Sequence, residues 1–342
     1  MSAEGMNVDY YDEYSIILDC NNSPYPPCAA AEGAIVEAMR MNALQRYPRI
    51  EPAELVEAVA RYMKVPSECV LLTAGADAAI DLILTTWHTM LPVARLHTYS
   101  YAHKHVCVTA HKTEQFNQDL DWVDCENYKT NIVYIANPDN PTGTIYAGER
   151  IRELLGKLGA RFMIDESYAE YAEESPGSTF ARYDDSERVF RIRTFSKAFA
   201  LAGLRIGYIV THPVNIQKLK EQHNPKSVSS LAQIAAFQAL DNLEYMRRHV
   251  KEIRARRDRV VSELKSSGYN IVNTELNFFL IKLSRTGMLW EQLKKDYIHV
   301  RIFDSDYFGT PTNFPYLRVT VGSEKDMQIF LEAMTAYEGS RI

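Results

Sequence analysis

The chain has 342 residues, of which 46% are hydrophobic and 24% charged, with a net charge of −6. That is an ordinary globular composition, and the length predicts one large and one smaller domain. Dispersed basic residues under a negative total exclude a nucleic-acid surface, and no apolar run reaches bilayer-spanning length. The opening MSAEGMNVDYYDEYS is acidic and polar, unlike a secretory signal or a transit peptide. Five cysteines (Cys20, Cys28, Cys69, Cys107, Cys125) lack metal-ligand spacing, so no metal site is predicted and they read as reduced thiols of a cytoplasmic protein.

Short β-branched runs recur along the first two thirds of the chain: CVLLT (69–73), VARLHT (93–98), HVCVTA (105–110), NIVYIAN (131–137), RFMIDE (161–166), RVFRIRTF (188–195) and IGYIVT (206–211). Helical patterns, Asp77–Thr89 and Gly148–Leu158 among them, lie between several of these runs. Strands alternating with helices predict an α/β fold with a mostly parallel sheet, whose ligands gather at the carboxyl ends of the strands. From Ser229 to about Ser266 the spacing is helical with a charged middle, which suits a long connector with a solvated face. Beyond Gly268, YNIVNT, NFFLIKL, YIHVRIF and YLRVTVG read as strands of a second, α+β domain packed with part of the N-terminus. The expected domains are 41–240, and 1–40 together with 241–342.

The unusual polar residues stand at the strand ends. Thr73-Ala74-Gly75-Ala76-Asp77 follows CVLLT and opens a helix, where small residues let backbone N–H groups approach an anion such as phosphate. In NPDNPTG (137–143), two prolines and a glycine make a stiff loop able to present an Asn side chain. Asp165 ends RFMID, where it either caps the next turn or holds a buried cation such as a protonated ring nitrogen. Lys197, just past VFRIRTF, is placed to lose solvation and expose a nucleophilic amine. Arg205, with Thr194 and Ser196, can supply a cation and hydroxyls to the same phosphate. A ligand with a phosphate, a basic ring nitrogen, a ring hydroxyl and an aldehyde answers all of these, and pyridoxal 5′-phosphate is such a ligand.

With NPDNPTG, IDESYAEY (164–171), TFSKAFALAGLRIGY (194–208), LLTAGADAAIDL (71–82) and LRVTVGS (317–323) in this order, the chain resembles the fold-type I pyridoxal phosphate-dependent aminotransferases of class I/II, and among them the histidinol-phosphate aminotransferases. The likeness covers roughly residues 15–335. It implies a mostly parallel seven-stranded large domain and a smaller α+β domain. It implies that Lys197 forms the internal aldimine and shuttles the proton between substrate Cα and cofactor C4′, while Asp165 keeps the pyridine nitrogen protonated. Asn140 and Tyr168 would donate to the ring 3′-oxygen, and Tyr99 would stack on the ring. Backbone groups at Ala76 and Asp77, with Thr194, Ser196 and Arg205, would hold the phosphate. Arg318 would clamp the substrate carboxylate, Arg301 would meet substrate phosphate, and Tyr25 would line the substrate site. Tyr47 would reach the phosphate site of a partner subunit, implying a homodimer with shared active sites, an amino donor and a 2-oxo acid acceptor.

The pattern departs from the family where substrate would bind. The N-terminal signature reads Asn21-Asn22-Ser23-Pro24-Tyr25-Pro26, without the family's acidic residue and glycine. The segment between Arg301 and Arg318 is long and carries Asp304 and Asp306, as a solvated loop or as a preference for a cationic donor. Lys197 as a proton shuttle suits transamination and is compatible with decarboxylation or cyclisation on the same fold.

Overall fold

The computed structural model describes residues 14–87, 93–95, 132–157, 159–172, 187–283, 288–303 and 316–339. These fall into two compact units: Tyr25–Glu252, and the residues up to Pro24 together with those from Ile253 onward.

The larger unit is built on a sheet of six strands, β2 (Val70–Thr73), β3 (Val93–Arg95), β4 (Ile132–Ala136), β5 (Arg161–Asp165), β6 (Val189–Thr194) and β7 (Gly207–Thr211), in the order β2-β7-β6-β5-β4-β3. β3, β4, β5 and β6 run parallel, and β7 runs antiparallel to both of its neighbours. Strands β4, β6 and β7 are buried along their whole length, which is why they read as unbroken apolar or mixed runs rather than as alternating ones. The expected run 105–110 lies outside the described residues.

Helix α3 (Gly75–Thr86) follows β2 and packs on β6 and β7, where Ile80 and Ile83 meet Phe190, Ile192 and Ile209. Helices α1 (Ala29–Arg40) and α2 (Ala53–Met63) both pack on α6 (Ser230–Asp241); α4 (Gly148–Lys157) and α5 (Pro213–Gln222) complete the unit with the first turns of α7 (Leu243–Ser266). The packing of α1 on α6, and the bond from the Tyr245 hydroxyl to the Pro26 carbonyl, put residues 25–40 in this unit, not in the smaller one expected from the sequence.

The single helix expected over 229–266 is divided at Asn242 (φ −117°), whose side-chain amide donates to the Gln238 carbonyl at 2.8 Å. That local bond competes with continuing the helix.

The smaller unit is a five-stranded sheet ordered β1-β10-β11-β9-β8, from β1 (Ile16–Leu18), β8 (Ile271–Val272), β9 (Phe278–Lys282), β10 (Ile298–Phe303) and β11 (Tyr316–Thr320). β1 comes from the N-terminal part of the chain and pairs parallel to β10. Helix α8 (Met288–Lys295) packs on β10, and α9 (Glu324–Gly339) sets Phe330 against Phe279 of β9. No described helix is long and apolar enough to cross a membrane.

Candidate active site

At the carboxyl ends of β4, β5 and β6 the larger unit opens a cleft of roughly 540 Å³ of empty space, mouth included. Asp165, Tyr168 and Lys197 line it with Asn140, Thr194 and Arg205. Ala76, Asp77 and Ser196 are also at its wall. Residues that approach from separate strand ends therefore meet in one place, as the parallel topology requires.

Asp165 is the most elaborated of them. It is buried, and its Oδ2 accepts from the Tyr134 hydroxyl at 2.6 Å. Its Oδ1 accepts from the Ser167 amide at 3.0 Å and the Ser167 hydroxyl at 2.5 Å. Burial pushes the carboxyl above its ordinary value, and the bonds from Ser167 and Tyr134 pull it back. The described residues thus occupy three of the carboxylate's four acceptor sites, and Oδ2 accepts only one of their bonds, on the side of the group that lines the cleft.

The lysine stands on the next strand end. Lys197 Nζ lies 5.7 Å from the centre of the Tyr168 ring, a cation–π distance. Before it, Thr194 donates to the Ser196 hydroxyl at 2.8 Å and accepts from the Ser196 amide at 3.1 Å, so two hydroxyls are held at the wall.

The third corner is the N-terminus of α3. Its cap residue, Ala74, gives no side-chain bond to the first-turn N–H groups, which leaves them for an anion. Arg205 reaches this turn, donating to Asp77 Oδ2 at 3.0 Å and to the Ala202 carbonyl at 3.2 Å. Burial raises the Asp77 carboxyl, and the Arg205 charge opposes that rise. The close approach depends on glycines. Gly75 has φ +86°, and a Cβ there would lie 3.0 Å from the Arg205 NH2. At Gly207 a Cβ would lie 2.5 Å from the Arg193 carbonyl and 3.0 Å from the carbonyl carbon of Gly75. Gly203 has nothing within 4 Å of an added Cβ, so of the two glycines in ALAGLRIG it is Gly207 that makes the tight contact.

The loop after β4 presents Asn140, which is buried. Asn137 exchanges bonds with Tyr146 across the loop (3.0 and 2.9 Å), and Asp139 accepts from the Thr142 amide and hydroxyl (3.1 and 2.5 Å).

The other expected residues have surroundings of their own. Tyr25 stacks on His249 of α7 with centroids 3.9 Å apart. Tyr47 is 81% exposed, with Lys226 Nζ 4.3 Å over its ring. Arg301 and Arg318 belong to the smaller unit, where they are direct register partners across β10 and β11. Arg318 is buried between the rings of Phe278 and Phe303 (5.6 and 5.5 Å) and donates to the Asp19 carbonyl. Tyr99, Asp304 and Asp306 lie outside the described residues.

Tyr134 and Ser167 were absent from the expected set. A serine two residues after an Asp is a signal for the local side-chain turn that Ser167 makes. The placement of Tyr134 depends on the pairing of β4 with β5, in which Ala136 is opposite Asp165.

The sequence profile of the family "Aminotransferase class I and II" matches residues 15–334. Histidinol-phosphate aminotransferase 1 of Archaeoglobus fulgidus is 33% identical over 326 residues, covering 93% of this chain and 97% of that protein. A dihydroxyacetone phosphate transaminase of Campylobacter jejuni is 29% identical over 341 residues, covering 94% and 89%. The crystal structure of histidinol-phosphate aminotransferase from Sinorhizobium meliloti in complex with pyridoxal-5′-phosphate superposes with a TM-score of 0.83 at 22% identity, covering 95% of this chain and 91% of that one.

Proposed function

This chain belongs to the aminotransferases of class I and II, pyridoxal phosphate-dependent enzymes, and we propose that it moves an amino group between glutamate and a phosphate-bearing partner of the histidinol-phosphate kind at this cleft. The observation that carries the reading is the convergence of Asp165, Lys197 and the Thr194–Ser196–Arg205 set on one cleft.

The residues fit the cofactor. The remaining acceptor site on Asp165 suits a protonated ring nitrogen, since a buried carboxylate gains most from a cation beside it. The uncapped first turn of α3, the two hydroxyls and Arg205 suit a phosphate. Bound there, pyridoxal phosphate supplies an aldehyde for an amine and a ring that takes up the electron pair of the substrate Cα–H bond.

The chain's own groups do the rest. Lys197 would take the proton from substrate Cα and deliver it to the former aldehyde carbon of the cofactor, across the nitrogen that joins the two, the task of a positioned general base. Asp165, fixed by Tyr134 and Ser167, holds the charge that makes the ring an acceptor. Tyr168 and Asn140 orient the ring oxygen from the wall of the cleft. The names of the two curated relatives, both for phosphate compounds, support a phosphate-bearing partner. Tyr47, exposed beside Met41 (67%) and Leu44 (68%), supports a homodimer in which this surface meets a second copy.

The test is transfer of ¹⁵N from labelled glutamate to candidate phosphate-bearing carbonyl compounds, read by mass spectrometry. Label in the product, lost with Lys197→Ala, is the expected result. Carbon dioxide release without label transfer would overturn the reading.

A further inference from the structure

Behind the cleft, on the reverse face of the sheet, lies a buried ionic cluster that the transfer chemistry does not use. Glu166 follows Asp165, and its amide continues the β5–β6 ladder by donating to the Ile192 carbonyl at 2.9 Å. Side chains alternate along strands, so Asp165 faces the cleft while Glu166 turns to the other side with Arg191 and Arg193. Glu166 is 0% exposed; Arg193 Nε meets its Oε2 at 2.7 Å and Arg191 Nε meets it at 3.2 Å. Arg193 also donates to Glu170 Oε1 at 2.8 Å, which in turn accepts from the Tyr62 hydroxyl at 3.1 Å. Tyr208, the register partner of Arg193 on β7, closes the cluster and donates to Met63 Sδ.

Among the described residues, two carboxylates face two guanidinium groups. Burial works against the Arg193 charge, yet Glu166 and Glu170 hold its pKa well above the ordinary arginine value. Each pair joins the tip of β5, which carries Asp165 and leads to Tyr168, to β6, which carries Thr194 and leads to Lys197. A surface ion pair would be too weak to set such a distance, whereas breaking a fully buried one leaves an uncompensated charge.

We propose that Glu166, held by Arg191 and Arg193, is a positioning residue of the transferase: its ion pairs fix the tip of β5 against that of β6 and set the charge at the reverse side of Asp165. The proposal rests on the cofactor reading above. It makes a demand that simple structural support does not, namely that the sign of an imposed charge matters.

The test compares purified apoprotein variants Glu166→Gln, Arg191→Met and the double variant, each checked for folding by circular dichroism. Two readouts are used: the Kd for pyridoxal phosphate, and the pH midpoint of the bound cofactor's visible absorbance, which reports the proton at its lysine link. Glu166→Gln leaves the cluster with excess positive charge, which disfavours that proton. Its midpoint should fall by on the order of one pH unit, with cofactor Kd raised about tenfold. Arg191→Met leaves excess negative charge and should move the midpoint upward. The double variant restores the wild-type net charge and should return the midpoint to the wild-type value even if it melts at lower temperature. Shifts in the same direction for both single variants, or none, overturn the proposal. A wild-type protein that takes up no cofactor removes the reading beneath it and the proposal together; wild-type uptake with unshifted variants removes the proposal alone.

Discussion

The Tyr134 hydroxyl donates to Asp165 Oδ2 at 2.6 Å inside a fully buried stretch of β4. A bond to the charged form of a carboxylate lowers its pKa, so Tyr134 helps keep Asp165 ionised against the opposing effect of burial. In Tyr134→Phe the carboxyl rises further and protonates at higher pH. The acid limit of cofactor binding should therefore move up by about one pH unit, given roughly 1.5–3 kcal/mol for a hydrogen bond to a charged group. Cofactor Kd measured from pH 5 to 8 by protein fluorescence checks this; an unshifted acid limb counts against it.

Asp165 itself carries a conflict between stability and function. Its folded pKa is raised above the ordinary 3.8, with burial as the main cause. The sign follows by linkage: stability from this group is fully present below 3.8 and is lost as pH rises through the folded pKa. In its ionised form Asp165 is a buried charge that a cation in the cleft would offset. Asp165→Asn should melt no lower than wild type as apoprotein at pH 7, while cofactor affinity falls at least about tenfold. Thermal melts with and without pyridoxal phosphate separate the two effects. Loss of apoprotein stability with full cofactor affinity would contradict both halves.

Gly207 and Gly203 offer a matched pair of substitutions. A methyl at Gly207 enters the backbone of Arg193 and of the Gly75–Ala76 turn, at 2.5, 3.0 and 3.2 Å. Relief requires moving the very turn that presents the first N–H groups of α3. Gly207→Ala should cost about 1–3 kcal/mol and weaken cofactor binding, as overpacking does. Gly203→Ala meets nothing within 4 Å and should stay within about 0.5 kcal/mol of wild type. Urea unfolding midpoints of the two variants decide it.

Much of this arrangement was legible in the sequence because it is local. β4, β5 and β6 announced themselves as apolar runs, and Asp165 and Lys197 stood out as charges where those runs stop. What could not be read depends on which strand or helix becomes a neighbour. Tyr134 looked like one more apolar position of NIVYIAN until β4 paired with β5. Arg191 and Arg193 looked like interruptions of VFRIRTF, and only the register with β5 gives them Glu166. The stacking of His249 on Tyr25 likewise depends on where α7 packs. Fold class follows from periodicity, whereas charge pairing across the sheet follows from register, which a single sequence does not state.

His249 gives the larger unit an acid-sensitive point. Tyr25 stacks on it at 3.9 Å and Tyr245 meets its edge at 4.1 Å, while Nδ1 is buried with no hydrogen-bond partner among the described residues. Burial lowers its pKa below the ordinary 6.5, with Glu252 opposing and Arg248 adding to the shift. A depressed pKa means stability that is present above 6.5 and lost as pH falls from there through the folded value. His249→Phe keeps the stacking and removes the titration, so its melting temperature should fall less than wild type between pH 7 and 5. Parallel pH profiles for the two proteins would refute this.

Arg301 and Arg318 are opposed in register on β10 and β11, yet their surroundings differ. Arg318 is buried between Phe278 and Phe303, whereas Arg301 is exposed. Directly opposed like charges cost roughly 0.2–1 kcal/mol, so Arg301→Gln should stabilise the protein slightly. If Arg301 meets the phosphate of the substrate, the same change should raise KM for the phosphate-bearing partner about tenfold or more, since a charged hydrogen-bonding partner is lost. The KM for glutamate should move much less if its carboxylate meets Arg318 instead. Arg318→Lys should show the reverse preference, a point charge replacing the planar fork that grips a carboxylate. Steady-state kinetics with each substrate varied in turn reads both variants. Equal effects of Arg301→Gln on the two substrates would refute the division of labour between the two arginines.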